Sequence, residues 1–262
     1  MRTPSVALLT LSLTHRGRGW FATLIAAQGP RQTGTNLSVD PMRRAGGVID
    51  VRVRIDSRRI PTTAEHVIAT LPGTGAGRIV VSAHIDSREG APGALDNASG
   101  VAVLMATTEL LGGYSGGPSI EFVPFNGEDN YANPGEMLWY AENRDRCDDI
   151  VLAISIDDLG MCRTTNHVSF YGCSPEVRDT VLKVATRYPS VSGGPQWFQG
   201  DHAIFAQMGV PAIAMASSGM LEFMAKYAHS ERDTVEIPDA ALLAEAARFL
   251  DEVIRAVAVL VA

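Results

Sequence analysis

The stretch from Arg78 to Phe125, RIVVSAHIDSREGAPGALDNASGVAVLMATTELLGGYSGGPSIEFVPF, carries the reading that decides the fold. Arg78 to Ala83 is an apolar run rich in Val and Ile and reads as a strand. A glycine-rich loop leads to an apolar helix from Ser99 to Leu111, and a second apolar strand follows from Ser119 to Phe125. Strand, helix and strand in succession require a crossover, and repeated crossovers build a mostly parallel sheet.

Downstream the alternation continues with a helix at Met137–Asn143, a strand at Ile150–Ile156 and another at His167–Tyr171. A helix is expected from Ser174-Pro175, where the serine caps the first turn and proline suits the first helical position. A strand at Val210–Met215 and a helix from Asp239 onward close the chain. That last helix puts Leu243, Ala246, Leu250, Val253 and Val257 on one face, as docking on a sheet requires. Upstream, Val48–Ile55 and His66–Leu71 read as strands, Gln32–Asn36 as a polar turn, and Arg18–Ala27 as a short helix ended by Gly29-Pro30. The expected fold class is α/β, with a mostly parallel, mixed central sheet and helices on both faces. Residues 1–28 are expected as an N-terminal helical segment and 29–262 as a single domain.

With 262 residues, 46% hydrophobic and 19% charged, the chain can bury one large core. A net charge of -7 argues against nucleic-acid and anionic-membrane partners, which select clusters of Lys and Arg. A peptide or small aminoacyl molecule is the expected cargo. Cys147, Cys162 and Cys173, an odd number without CxxC spacing, suggest neither a disulfide framework nor a thiolate metal site, with a Cys162–Cys173 bridge as the lesser alternative. No uncharged apolar stretch reaches the roughly 18 residues that span a bilayer, so a soluble protein is expected, cytoplasmic or secreted. Met1-Arg2 with Val6–Leu13 is faintly signal-like, yet Arg16 and Arg18 follow too soon.

Five segments end or follow strand-like runs with metal-ligand side chains: His84-Ile85-Asp86, Leu95-Asp96-Asn97, Gly127-Glu128-Asp129, Ile156-Asp157-Asp158 and Ala228-His229-Ser230. Imidazole nitrogen with carboxylate oxygen is a set that suits zinc, and carboxylates from several strand ends can space two ions. Open α/β sheets gather ligands beyond their strand carboxyl ends, where these residues fall. Each segment alone has a plainer reading. His84 and Asp86 could be a hydrogen-bonded structural pair, Asp96 a helix cap, Glu128-Asp129 a solvated acidic loop, Asp157-Asp158 an exposed turn, and His229 a surface histidine oriented by Asp233. Adjacent acids such as Glu128 and Asp129 can also divide the labour, one binding metal while the other takes a proton.

These pieces, with Gly29–Thr35, Asp201-His202-Ala203-Ile204-Phe205 and His229–Thr234, make the chain resemble the di-zinc exopeptidase family of bacterial leucine-type aminopeptidases, glutamate carboxypeptidases and glutaminyl cyclases. The likeness runs from about Gly29 to the C-terminus, and order and spacing make it specific. It implies a zinc exopeptidase (phosphorylase/hydrolase-like) architecture. It also implies two zinc ions, with cobalt or manganese as substitutes: one held by His84 and Asp157, the other by Asp129 and His229, with Asp96 bridging. Glu128 would be the catalytic base and Asp86 a support for His84, with the Asp96-Asn97 peptide bond cis.

The chain departs from the family pattern at four places. Asp129 stands where many members have glutamate, Gly200 where serine is usual, and Asp158, read as a solvated or supporting acid, where an apolar residue is common. Asn130–Gly135 replaces a glycine-rich turn. With Gly200 before the Asp201-His202 pair, His202 is expected to be structural. The expected activity is removal of N-terminal residues from peptides. A glutaminyl cyclase-like acyltransferase and a non-catalytic binding module stand as rivals, and a carboxypeptidase shares the scaffold. Phe122, Trp139, Tyr140, Trp197, Phe198, Phe223 and Tyr227 are candidates for an apolar specificity pocket, with core packing the alternative.

Overall fold

A computed structural model describes residues 65–129 and 134–261 in full, and six short strands before them by their backbone. The chain divides into two compact units, and the second comprises Ala64–Asp129 with Asn133–Ala262.

In the first unit, β1 (Leu8–Arg16) and β2 (Gly19–Ala27) form an antiparallel hairpin. The helix expected at Arg18–Ala27, and with it the helical N-terminal segment, is corrected to strand. Leu9, Leu11 and Leu13 alternate with Thr10, Ser12 and Thr14, the period of two that suits a strand partner. The polar turn expected at Gln32–Asn36 lies within β3 (Gln32–Val39), which pairs antiparallel with β6 (Val53–Arg59) across a register shift between Thr33 and Asn36. Between them β4 (Arg43–Ala45) pairs with β5 (Val48–Asp50).

The second unit is built on β7 (Ala69–Leu71), β8 (Arg78–His84), β9 (Ser119–Phe125), β10 (Ile150–Ile156), β11 (Asn166–Tyr171), β12 (Val191–Gly193) and β13 (Ala212–Ser217). They form one sheet in the order β12-β11-β13-β10-β8-β9-β7. The central run β13-β10-β8-β9 is parallel, whereas β11 against β13 and β7 against β9 are antiparallel. The mostly parallel, mixed sheet is thus as the alternation implied.

Helices α1 (Gly100–Leu110), α2 (Pro134–Asn143), α3 (Pro175–Ala185), α4 (His202–Gln207), α5 (Met220–Lys226) and α6 (Ala240–Leu260) complete the unit. Ser174 caps α3 by accepting from the Val177 N–H at 3.3 Å, and Asp239 caps α6 by accepting from Ala241 N–H at 2.8 Å.

Successive strand residues point to opposite faces, and both faces are covered. Ile79 and Val81 of β8 join Ile154 and Ile156 of β10 in a core closed by α1, α3 and α6, including Leu250, Val253 and Val257. Val80, Val123, Ala153 and Ala214 face the other way, against Trp139 of α2 and Phe205 of α4. Each such fully buried Val, Ile or Leu side chain contributes about 1.5–3 kcal/mol of burial. The three cysteines are free, and no helix among the described residues is long and apolar enough to cross a membrane.

Because β10, β8 and β9 run parallel, His84 ends level with Phe125, and β10, paired to β8 through Ser155 and Ser82, ends beside them. His84 at the end of β8, with Asp96, Asp129 and Asp157 in the loops that follow these strands, makes four of the five expected ligands.

Candidate metal centre

His84 is the last residue of β8, fully buried, and its Nδ1–H donates to the Asp86 carbonyl oxygen at 3.0 Å. A carbonyl only accepts, so this bond fixes the tautomer and leaves the Nε2 lone pair free to bind. That Nε2 lies 3.3 Å from Asp157 Oδ1 and 3.2 Å from Asp96 Oδ1. Asp157 is placed by the end of β10, its N–H donating to the Met215 carbonyl at 3.0 Å.

Asp96 sits in the irregular turn Ala94–Ser99, and the Asp96-Asn97 peptide bond is cis. The turn is held from three sides. Asp233 accepts from the Leu95 and Asp96 N–H groups at 2.8 and 3.1 Å, a grip on the Asp96 turn that its place in the His229 motif did not suggest. Asn97 donates to the Ile156 carbonyl at 2.8 Å and accepts from Gly100 N–H at 3.0 Å, which ties the turn to the end of β10. Gly100 has to be glycine, because a Cβ there would lie 2.2 Å from Asn97 Oδ1 and 2.7 Å from the Ile156 oxygen.

His229, just beyond α5, adopts a left-handed backbone with φ 55°. Its Nε2 is 3.2 Å from Asp96 Oδ2 and 3.0 Å from Asp129 Oδ1. The two oxygens of Asp96 therefore face two different imidazoles. Among the described residues, His84, Asp96 and Asp157 form one donor triad and Asp96, Asp129 and His229 another, each with its donor atoms within 4.8 Å of one another.

These residues fit divalent cations. Zinc bonds to N and O of about 2.0–2.1 Å in tetrahedral geometry put neighbouring donors about 3.3 Å apart, which is the separation of the imidazole and carboxylate atoms here. Among the described residues, buried Asp129 Oδ2 has no hydrogen-bond partner, as suits an oxygen reserved for an ion.

Electrostatics point the same way. Burial opposes charge on His84, but the Asp157 carboxylate and its other acidic neighbours hold its pKa well above the usual value. Hydrogen bonds to Asp129 and Asp96 push His229 up to about 10. Asp96, although buried, is held far below the ordinary carboxylate range by hydrogen bonds from His229 and His84. Burial, reinforced by Asp157, raises Glu128 to about 8. The cluster thus carries more acids than two imidazoles can neutralise, and in the metal-free chain protons make up the difference. Divalent cations would displace those protons.

Three further acids belong to this excess, and local sequence did not mark their roles. Asp158, read as a solvated or supporting acid, is buried at φ 51°, and burial with the Asp157 and Asp96 charges lifts its pKa well up. Solvation is excluded: the turn folds the side chain inward. Glu136 on α2 and Asp201 before α4 are both buried and hydrogen-bonded to each other. Burial raises Glu136 to about 7, and burial with the Glu136 charge raises Asp201 well above its ordinary range. No local pattern announces such a pair, since its members lie on different elements.

Asp86 is close to His84, its Oδ1 3.7 Å from Nδ1, but the same oxygen accepts from Gly127 and Glu128 N–H at 2.7 and 3.1 Å. His202 is fully buried, its Nε2 donating to the Trp197 carbonyl at 2.8 Å while its ring packs on Tyr171 and Trp197. Gly200 has φ 111°, and a Cβ there would lie 3.1 Å from Asp157 Oδ2, so the serine usual at this position would be strained here. Among the candidate aromatics Phe122, Trp139 and Phe223 are core, whereas Phe198 is 74% exposed.

Fold and site together define an α/β protein with two donor triads that could hold cations, sharing one aspartate beyond the carboxyl ends of the sheet's parallel strands. The chain belongs to Peptidase family M28, whose model matches residues 66–254. No curated protein matches it significantly. Among solved structures it is similar to the aminopeptidase from Aneurinibacillus sp. strain AM-1, at 21% identity and TM-score 0.63, covering 79% of this chain and 49% of that one. It is similar also to a zinc aminopeptidase from Bacillus subtilis, at 18% identity and TM-score 0.65, covering 79% and 53%. A Zn-dependent exopeptidase from Parabacteroides distasonis matches at 19% identity and TM-score 0.59, covering 85% of this chain and 84% of that one. The chain spans about half the length of the first two relatives. At these identities the likeness is one of fold.

Proposed function

We propose that this chain is a metal-dependent exopeptidase that removes N-terminal residues from peptides, using two zinc ions and Glu128 as general base. The observation that carries the reading is Asp96, whose Oδ1 and Oδ2 each lie 3.2 Å from a different histidine Nε2. Family membership adds the peptidase chemistry.

In this reading His84 and Asp157 hold one ion, Asp129 and His229 the other, and Asp96 both. Bound divalent cations supply Lewis acidity, which makes water a nucleophile near neutral pH and polarises a scissile carbonyl. Glu128 takes the proton from the attacking water and returns it to the leaving amine. Its elevated pKa belongs to the metal-free chain; positive charge beside it brings the value down, toward a range where the carboxylate serves as base and its conjugate acid as donor. The cluster of carboxylates suits the free α-ammonium group of a peptide N-terminus.

A panel of chromogenic aminoacyl-anilides tests this, run with and without chelator and with metal added back. Hydrolysis of unblocked substrates that chelator abolishes and zinc restores is expected. Equal turnover of N-acetylated substrates would contradict the aminopeptidase reading. Cyclisation of N-terminal glutamine peptides without hydrolysis would favour the acyltransferase instead.

A further inference from the structure

The turn that carries Glu128 is held by side chains from elsewhere in the chain. Three consecutive backbone N–H groups leave the end of β9, and each finds a side-chain acceptor. Asn126 N–H donates to His66 Nε2 at 3.3 Å, and Gly127 and Glu128 N–H both donate to Asp86 Oδ1, at 2.7 and 3.1 Å.

The carbonyl side is fixed as well. Asn126 oxygen accepts from Gly135 N–H at 3.1 Å, and Arg88 donates to the Asp129 carbonyl. Gly127 has φ 106°, and a Cβ there would lie 2.5 Å from Pro134. Gly135 packs so closely on His66 that a Cβ would fall 2.2 Å from its Nε2. His66 also meets the Phe125 ring edge-on at 5.8 Å. Burial lowers the His66 pKa, so the ring stays neutral and able to accept.

The role of Asp86 looks different against this geometry. His84 Nδ1–H donates to the Asp86 backbone carbonyl, an acceptor that any residue at position 86 would supply. The Asp86 carboxylate helps hold the His84 charge from 3.7 Å away, and the same oxygen lies within bonding distance of two amides of the Glu128 turn.

We propose that Asp86 and His66 are positioning residues for Glu128, clamping the Asn126–Glu128 turn so that the base stands at a fixed place beside the paired triads. The proposal rests on the reading of Glu128 as general base. Misplacement of a catalytic group by about 1 Å can cost on the order of 100-fold in rate, so the clamp is legible in turnover.

The test uses the zinc-loaded full chain. Asp86→Ala is expected to lower kcat about 10- to 100-fold with KM, zinc stoichiometry and zinc affinity unchanged. Asp86→Asn, whose amide oxygen can accept the same two N–H groups, is expected to recover most of that loss. His66→Ala is expected to lower kcat by about threefold to tenfold, the scale of one neutral hydrogen bond.

If chelator competition shows Asp86→Ala binding zinc 10- to 100-fold more weakly, while the zinc-saturated variant turns over normally, Asp86 serves His84 and the proposal is overturned. Equal kcat losses in the Asn and Ala variants would overturn it too. Amide hydrogen exchange separates this inference from the peptidase reading. Gly127 and Glu128 amides should exchange at least about tenfold faster in Asp86→Ala. If wild type hydrolyses no peptide, the peptidase reading fails and exchange alone decides the clamp; unchanged exchange would overturn it.

Discussion

Replacing Glu136 by glutamine should change how the metal-free protein responds to pH. Glu136 is 3% exposed and hydrogen-bonded to Asp201, which is also buried, and burial raises its pKa from 4.5 to about 7. In the unfolded chain the carboxyl loses its proton near 4.5, whereas in the folded chain it keeps it until about 7. Between those values the native state binds more protons, so stability falls as pH rises, and it levels off above about 7. The rise corresponds to roughly 3 kcal/mol, attributed to the pair because its members share a proton. Glutamine does not titrate and can donate to Asp201, so Glu136→Gln should gain about that much relative to wild type between pH 4.5 and pH 8. Urea unfolding of chelator-treated wild type and variant across this range measures it. Parallel pH dependence in the two proteins would refute the argument that burial of this pair costs stability.

Three further outcomes follow from the same geometry. Glu128→Gln should retain its metal and lose roughly 100- to 10,000-fold in kcat, measured on an aminoacyl-anilide; near-normal turnover would refute its role as base. Gly100→Ala should destabilise the protein by about 1–3 kcal/mol in urea unfolding, because the new methyl meets Asn97 and the Ile156 carbonyl and shifts the Asp96 turn. Adding zinc to metal-free protein in weak buffer at pH 7 should release protons, since cations displace those held by the acid excess; a titration with no proton release would contradict the electrostatics.

The fold was legible where the chain had to bury both faces of a strand. Ser119–Phe125 and Ile150–Ile156 have the bounds their predominantly apolar sequences predict, as suits central parallel strands. β12, α4 and α5, at three, six and seven residues, went unread, being too short to show a period. At the N-terminus an apolar segment resembled a helix until a partner strand was found for it, since periodicity alone arbitrates poorly over so few residues.

The site divides in a similar way. His84, Asp96, Asp129, Asp157 and His229 could be marked because each is a ligand type at the close of a readable element. Local sequence does not say which way a turn folds a side chain, so nothing beside Asp158 marks it as buried. Glu136 pairs with Asp201, and His66 reaches Asn126, only through tertiary approach between separate elements. No spacing along the chain encodes either meeting.

The central claim is that one aspartate is shared by two cations, and elemental analysis of purified, metal-replete protein addresses it most directly. Two zinc ions per chain are predicted for wild type, with occupancy and activity falling together in Asp96→Asn. A wild-type chain that holds one ion or none, or an Asp96→Asn variant that still holds two, would contradict it.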